Sequence, residues 1–177
     1  MKALKKIILA VLLIPMALVV VSLFLPSTYR VERSVAINGG PGAVFPYINT
    51  LKRWHEWTAW TVIKYPDMKV SFSGPEAGVG ASYSWEGKSN GRGTLNVTRS
   101  EPDKSIGYDL DFENGKYVSK GAITLEPIGE SVSVTWSNEG NLGWNPVSRF
   151  FGLFMDKMMG PDFEEGLRNL QKKVEAK

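Results

Sequence analysis

Cysteine is absent from the 177-residue chain and histidine occurs once, at His55. Disulfides and thiol chemistry are therefore excluded, and a single imidazole does not furnish an ordinary zinc site. His55-Glu56 also lacks the second histidine of a helical zinc motif, so a solvated loop histidine is the plainer reading. The glycines around Gly39, Gly78 and Gly91 are not followed by Lys-Ser or Lys-Thr and read as turns, not as a phosphate loop. Neither a metal nor a cofactor is called for.

Acidic residues are missing before Glu32. There Lys2, Lys5 and Lys6 lead into an uncharged apolar run, Ile7 to Leu25. As a helix at about 1.5 Å per residue it spans roughly the 30 Å of a bilayer's hydrocarbon. It exceeds the apolar stretch of about 7–15 residues in a secretory signal, and no small-residue cleavage site follows it. Residues 1–27 thus read as an uncleaved anchor with a transmembrane helix over about 7–25. Pro15 is tolerable there and Pro26 marks the exit. Lys2, Lys5 and Lys6 outnumber Arg30 and Arg33 across the span, which puts the N-terminus in the cytoplasm and the domain on the extracytoplasmic side, the periplasm in a bacterium. Of the 21 basic residues these three lysines belong to the anchor, and the 18 that remain equal the 18 acidic ones. A charge-balanced domain gives no reason to expect nucleic acid, whose phosphates need a basic face. Residues 28–177 suffice for one domain with its own core, expected to fold without the first 27.

From Tyr29 to Ile37 the pattern places Val31, Val35 and Ile37 on one side of a strand. Asn38 to Gly42 breaks it, Ala43 to Ile48 reads as a short helix, and Leu51 to Trp57 as another. From Met68 onward the period is two through six segments: Met68–Phe72, Tyr83–Trp85, Leu95–Val97, Ile106–Phe112, Tyr117–Leu125 and Val132–Trp136. Short glycine-, proline- and asparagine-bearing breaks separate them, the last at Pro127–Glu130, with no room for long crossovers. That is an antiparallel sheet with one dry face. The cover is the C-terminal region: Phe163, Leu167, Leu170 and Val174 make one stripe of a helix expected over Pro161–Val174, prefaced by a second helical stretch, Pro146–Met159. Asp162, Glu164 and Glu165 suit its positive end, Lys172 and Lys173 its negative end. The class is α+β.

Inward alternation gathers aromatic rings. Tyr83, Trp85, Tyr108, Leu110, Phe112 and Trp136 share the dry face, and tyrosine and tryptophan carry polar handles that an aliphatic core leaves unpaired. A pocket between sheet and helix, with Phe154 and Met158 from the other side, is one reading; rings that fill the space are the other. Phe150, Phe151, Phe154, Met155, Met158 and Met159 form an apolar surface too wide for a solvent-facing helix. Trp54, Trp57 and Trp60, three apart, either close the open end of the core or line a pocket mouth, at Trp57 and Trp60, or touch lipid headgroups. Asp109 and Asp111 are a carboxylate pair on the wet face, a poor place for catalysis, and Asp156 reads as a capping or surface acid. No catalytic constellation emerges, and whether the protein is an enzyme stays open.

The order strand, two short helices, six antiparallel strands and long helix resembles the helix-grip fold of the START-like (SRPBCC) superfamily, which includes pollen-allergen and polyketide cyclase-like proteins. The resemblance covers Tyr29 to Val174. Local wording is similar to the bacterial cyclase-like branch: Val31-Glu32-Arg33-Ser34, Trp54-His55-Glu56-Trp57-Thr58-Ala59-Trp60, Ser73-Gly74-Pro75, Gly78-Val79-Gly80-Ala81 and Asp162-Phe163-Glu164-Glu165-Gly166-Leu167. The resemblance implies a curved antiparallel sheet wrapped around the C-terminal helix and a lipid or other small apolar ligand held between them. A polyketide cyclase or dehydratase acting on an apolar substrate is the alternative it implies.

Overall fold

The computed structural model describes residues 2–176, with side chains from Leu13 onward. A helix α1, Lys2–Leu23, precedes the domain. Among the described residues no helix is long and apolar enough to cross a membrane. The expected span begins at Ile7, so its first part, with Lys2, Lys5 and Lys6, lies outside the described side chains.

The domain runs β1 (Thr28–Asn38), α2 (Pro41–Asn49), a 3₁₀ helix (Leu51–Glu56), β2 (Lys69–Ser73), β3 (Ser82–Gly87), β4 (Gly91–Glu101), β5 (Ser105–Phe112), β6 (Tyr117–Ile128), β7 (Ser131–Asn141), α3 (Pro146–Gly152) and α4 (Met155–Glu175). The strands form one antiparallel sheet of order β1-β7-β6-β5-β4-β3-β2. β1 thus closes onto the last strand, and hairpins make every other pairing. With α4 seated along β1 this is the helix-grip arrangement.

Period two does the sorting. Val31, Ile37, Val97, Ile106, Ile123, Val132, Val134 and Trp136 are buried on the concave face, while Ser34 and Thr135, or Ser84 and Thr94, pair hydroxyls across strands on the convex face. Phe163, Leu167, Leu170 and Val174 are buried as the helical stripe requires.

Three boundaries differ from the sequence reading. Pro41, read as part of a break, opens α2 at a first-turn position where its missing amide costs nothing. Pro127 stays within β6: the Leu125 amide donates to the Lys104 carbonyl on the β5 side, so alternation points position 127 the same way, beyond the end of β5 at Ser105. Pro161 does not begin a helix. α4 starts at Met155 and runs through Gly160-Pro161 unbroken, and the chain breaks earlier, at Leu153-Phe154. An interior proline costs on the order of 3 kcal/mol, and burial of the Phe163, Leu167, Leu170 and Val174 stripe holds the helix through it, with smaller help from ion pairs on either side. Arg33, on β1, forks to both Asp156 oxygens (2.8 and 3.0 Å) and to Glu164 (2.7 Å). Asp162, Glu164 and Glu165 therefore lie mid-helix and face cations, not the helix end: Lys64 meets Asp162 at 3.0 Å and Glu165 at 3.5 Å.

Candidate functional site

The concave face divides into a packed inner half and an open outer half. At the inner half Trp136 stacks on Phe163 of α4, centroids 4.1 Å apart and 2° from parallel. Trp57 and Trp60 meet Trp136 edge-on at 5.1 and 5.7 Å, and Trp54 at 5.8 Å. Only Trp54 lies within the 3₁₀ helix; Trp57 caps it and Trp60 follows in the turn beyond, and the chain brings all three onto Trp136. The polar handles are met within the protein. Trp136 donates to the Tyr108 hydroxyl (2.8 Å), Trp54 to the Ile48 carbonyl (2.8 Å) and Trp57 to the Tyr47 carbonyl (3.2 Å). Trp57, Tyr108 and Trp136 are thus enclosed and hydrogen-bonded, and the space between the sheet and the C-terminal part of α4 is filled.

A buried polar thread continues from Tyr108. Asn138, beside the Tyr108 hydroxyl, accepts from Tyr29 Oη (3.0 Å) and donates to Ser119 Oγ (3.1 Å). Burial pushes the Tyr108 phenol far above its ordinary value, so it stays protonated through the physiological range. Alternation places Ser119, Asn138 and Arg33 on the dry side, a signal that was available in the sequence. Asp156, Gly160 and Glu164, four apart, were a second signal, with the glycine leaving room for the Arg33 guanidinium.

The outer half is a run of rings on neighbouring strands. Phe72 meets Tyr83 at 5.3 Å, Tyr83 stacks on Trp85 at 5.7 Å, and Trp85 meets Phe112 at 6.2 Å, which meets Tyr117 at 6.5 Å. Register explains the run: Val70, Trp85, Gly93, Phe112 and Tyr117 form one cross-strand row, and Phe72, Tyr83, Leu95, Leu110 and Ser119 the next. Phe72 and Tyr117 are exposed; Tyr83, Trp85, Leu110 and Phe112 are partly buried. Trp60 sits half-buried at the boundary with the packed half, while Phe154 and Met158 are exposed at the start of α4. A shallow cleft of about 410 Å³ opens at this end, bounded by Val70, Trp85 and Gly93 but also by Ser84, Thr94 and Asp111 of the other face, so it is the rim of the sheet and not an internal chamber. A second, of about 160 Å³, lies between Tyr29, Leu142, Leu153 and Met155.

Asp111 accepts from the Gly115 amide in its hairpin, Asp109 lies on the convex face, and Asp156 is held below the usual carboxylate range by Arg33. His55 is exposed, and among the described residues no cluster of His, Cys, Asp or Glu suits a metal.

Comparison with solved structures gives the same fold. Protein CV1439 from Chromobacterium violaceum is 17% identical, with TM-score 0.57 over 85% of this chain and 99% of its own. MLL2253 from Mesorhizobium loti is 21% identical, with TM-score 0.57 over 82% of this chain and 97% of its own. Ara h 8.0201 is 11% identical, with TM-score 0.58 over 85% and 99%. No curated protein matches the chain significantly. The family model described as polyketide cyclase / dehydrase and lipid transport matches residues 28–175, and with the helix-grip sheet and helix in place the chain belongs to that family, within the START-like superfamily.

Proposed function

We propose that the chain is a single-pass membrane-anchored START-like domain that holds a lipid or another small apolar molecule against the concave face of its sheet. Residues 1–27 are the anchor, with the transmembrane helix over about 7–25, and residues 28–177 form the domain on the extracytoplasmic side of the cell membrane. The observation that carries the binding reading is the half-open aromatic run Phe72, Tyr83, Trp85, Phe112 and Tyr117. A contiguous apolar surface left to water marks a binding region, and ligand sites are mostly apolar with a few placed polar groups. Leu110 lies in the second row of the run; Trp57, Tyr108 and Trp136 form the packed floor beside it; Trp60, Phe154 before α4 and Met158 within it are proposed as further apolar contacts of the ligand. Apart from the Tyr83 and Tyr117 phenols the run carries no titratable group, and the charged residues that border its cleft, Lys69, Glu86, Arg92 and Asp111, belong to the convex face, which favours binding over cyclase or dehydratase chemistry, where a positioned acid or base is required. The family description, naming lipid transport beside polyketide chemistry, agrees with this reading.

The test is native mass spectrometry of the full chain extracted from its membrane in mild detergent. The expected spectrum carries one bound apolar molecule per chain, depleted in Trp85→Ala. A wild-type chain that emerges bare, and stays bare when lipid is added back, contradicts the proposal.

A further inference from the structure

We infer that α3 and the turn before it dock on the bilayer at its headgroup boundary, with Arg149 as the clasp that fixes the domain on its anchor. The inference rests on the anchor reading of residues 1–27 and adds a second, separate membrane contact.

The tether is short. α1 ends at Leu23 and β1 begins at Thr28, and the four residues between them reach at most about 14 Å when fully extended. Arg149 removes most of that freedom. Its side chain is buried, and its Nη1 donates to the carbonyls of Ser22 (3.1 Å), Leu23 (3.2 Å) and Leu25 (3.3 Å), while Nε donates to the Gly143 carbonyl (2.8 Å). The last carbonyls of a helix lack intrahelical partners and carry its negative end, so a guanidinium is the fitting cap. A cation of α3 is thereby spent on the exit of α1.

With Arg149 turned inward, the rest of α3 presents the opposite side. Val147 and Phe151 are one turn apart and Phe154 follows; Trp144 precedes them, and Phe24 stands at the exit of α1. Phe24 is 85% exposed, Trp144 80% and Val147 76%, with Phe151 and Phe154 about half. From Gly140 to Met155 the sequence holds no acid, and its sole charge is Arg149 itself. The described part of α1, Leu13 to Leu23, exposes an apolar surface that continues into Phe24. One uncharged apolar surface thus runs from the helix onto α3. A lipid interface suits it better than a protein partner, because it is continuous with the anchor and the clasp keeps it at the anchor's exit. Tryptophan favours that boundary, and a short apolar face enters it to a depth of about 5–10 Å. In the sheet's register the row Phe72, Tyr83, Leu95, Leu110 and Ser119 continues through Gly140 to Tyr29, next to the exit of α1, so docking sets this end of the concave face toward the membrane. An apolar ligand then passes between bilayer and site with little travel through water.

The test uses the full chain reconstituted in vesicles of phosphatidylcholine and phosphatidylglycerol containing a lipid brominated near the glycerol. Two readouts are taken: flotation after an alkaline carbonate wash, and quenching of tryptophan fluorescence. The expected result is a floating chain whose quenching falls by roughly half in Trp144→Phe, the tryptophan placed at the boundary. The same loss is expected in a Val147→Glu, Phe151→Glu double variant that still floats and keeps the wild-type circular dichroism. A floating chain whose quenching is untouched by Trp144→Phe overturns the docking and leaves the anchor standing. A chain that the wash releases overturns both.

Discussion

Alternation alone would put a branched aliphatic residue at position 121, on the dry face of β6; glycine stands there because a ring lies on it. A side chain at Gly121 would collide with the Tyr108 ring, as one at Gly93 would with Trp85 and one at Gly140 with Tyr29. Each pair lets an aromatic ring lie flat on the backbone, which lowers the floor of the concave face and brings the Tyr108 hydroxyl to Trp136 and Asn138. Tyr108 has nowhere to retreat, since Trp54 meets it edge-on at 5.5 Å and Trp136 holds its hydroxyl. Gly121→Ala is therefore expected to cost about 1–3 kcal/mol, the usual range for overpacking a core. It should lower the denaturant midpoint without changing the slope. An unchanged midpoint would mean that the ring is free to shift and that the packed floor is loose.

At the scale of elements, α4 separates what the sequence discloses from what it hides. Its buried stripe was legible because a 3.6-residue period survives any choice of end. Its start was not, because proline at position 161 has the local look of a first turn and the compensating contacts come from Arg33, far away in the chain. The candidate site divides the same way. Which rings face inward follows from period two, so Tyr83, Trp85, Tyr108, Phe112 and Trp136 were readable. Which of them are enclosed depends on where Phe163 of α4 and the Trp54–Trp57 turn come to rest, and no local pattern encodes that. The Arg33 fork has a measurable signature. Hydrogen bonds from Arg33 hold Asp156 below its ordinary value; Arg53 does the same for Glu56, and the amides of Ser89 and Lys88 for Asp67. A carboxylate depressed in the folded state contributes stability that is fully present above its unfolded pKa, about 4, and lost as pH falls through the lower folded value. Unfolding midpoints should hold steady above about pH 5 and drop progressively below about pH 4. In Arg33→Gln the drop should be shallower, because Asp156 no longer differs between the two states. Equal acid slopes for wild type and variant would remove Arg33 from the account of how α4 is held.

Taken as a whole, the molecule has a packed back and an exposed front. Trp57, Trp136, Phe163 and the aliphatic rows of β1, β6 and β7 close the back, and what α4 leaves uncovered at the front is aromatic, contiguous and partly open to solvent. On the proposed function this front takes an apolar molecule and the back does not. Titrating the full chain in detergent with an apolar fluorescent probe tests it most directly, comparing wild type with Trp85→Ala and with the core variant Val132→Ala. One saturable site is expected in the wild type and about a tenfold weaker one in Trp85→Ala, the effect of losing roughly 1.4 kcal/mol of aromatic contact. Val132→Ala is expected to lower stability and leave affinity unchanged. Trp85→Ala binding as tightly as wild type, or both variants losing affinity only in proportion to their lost stability, would contradict it.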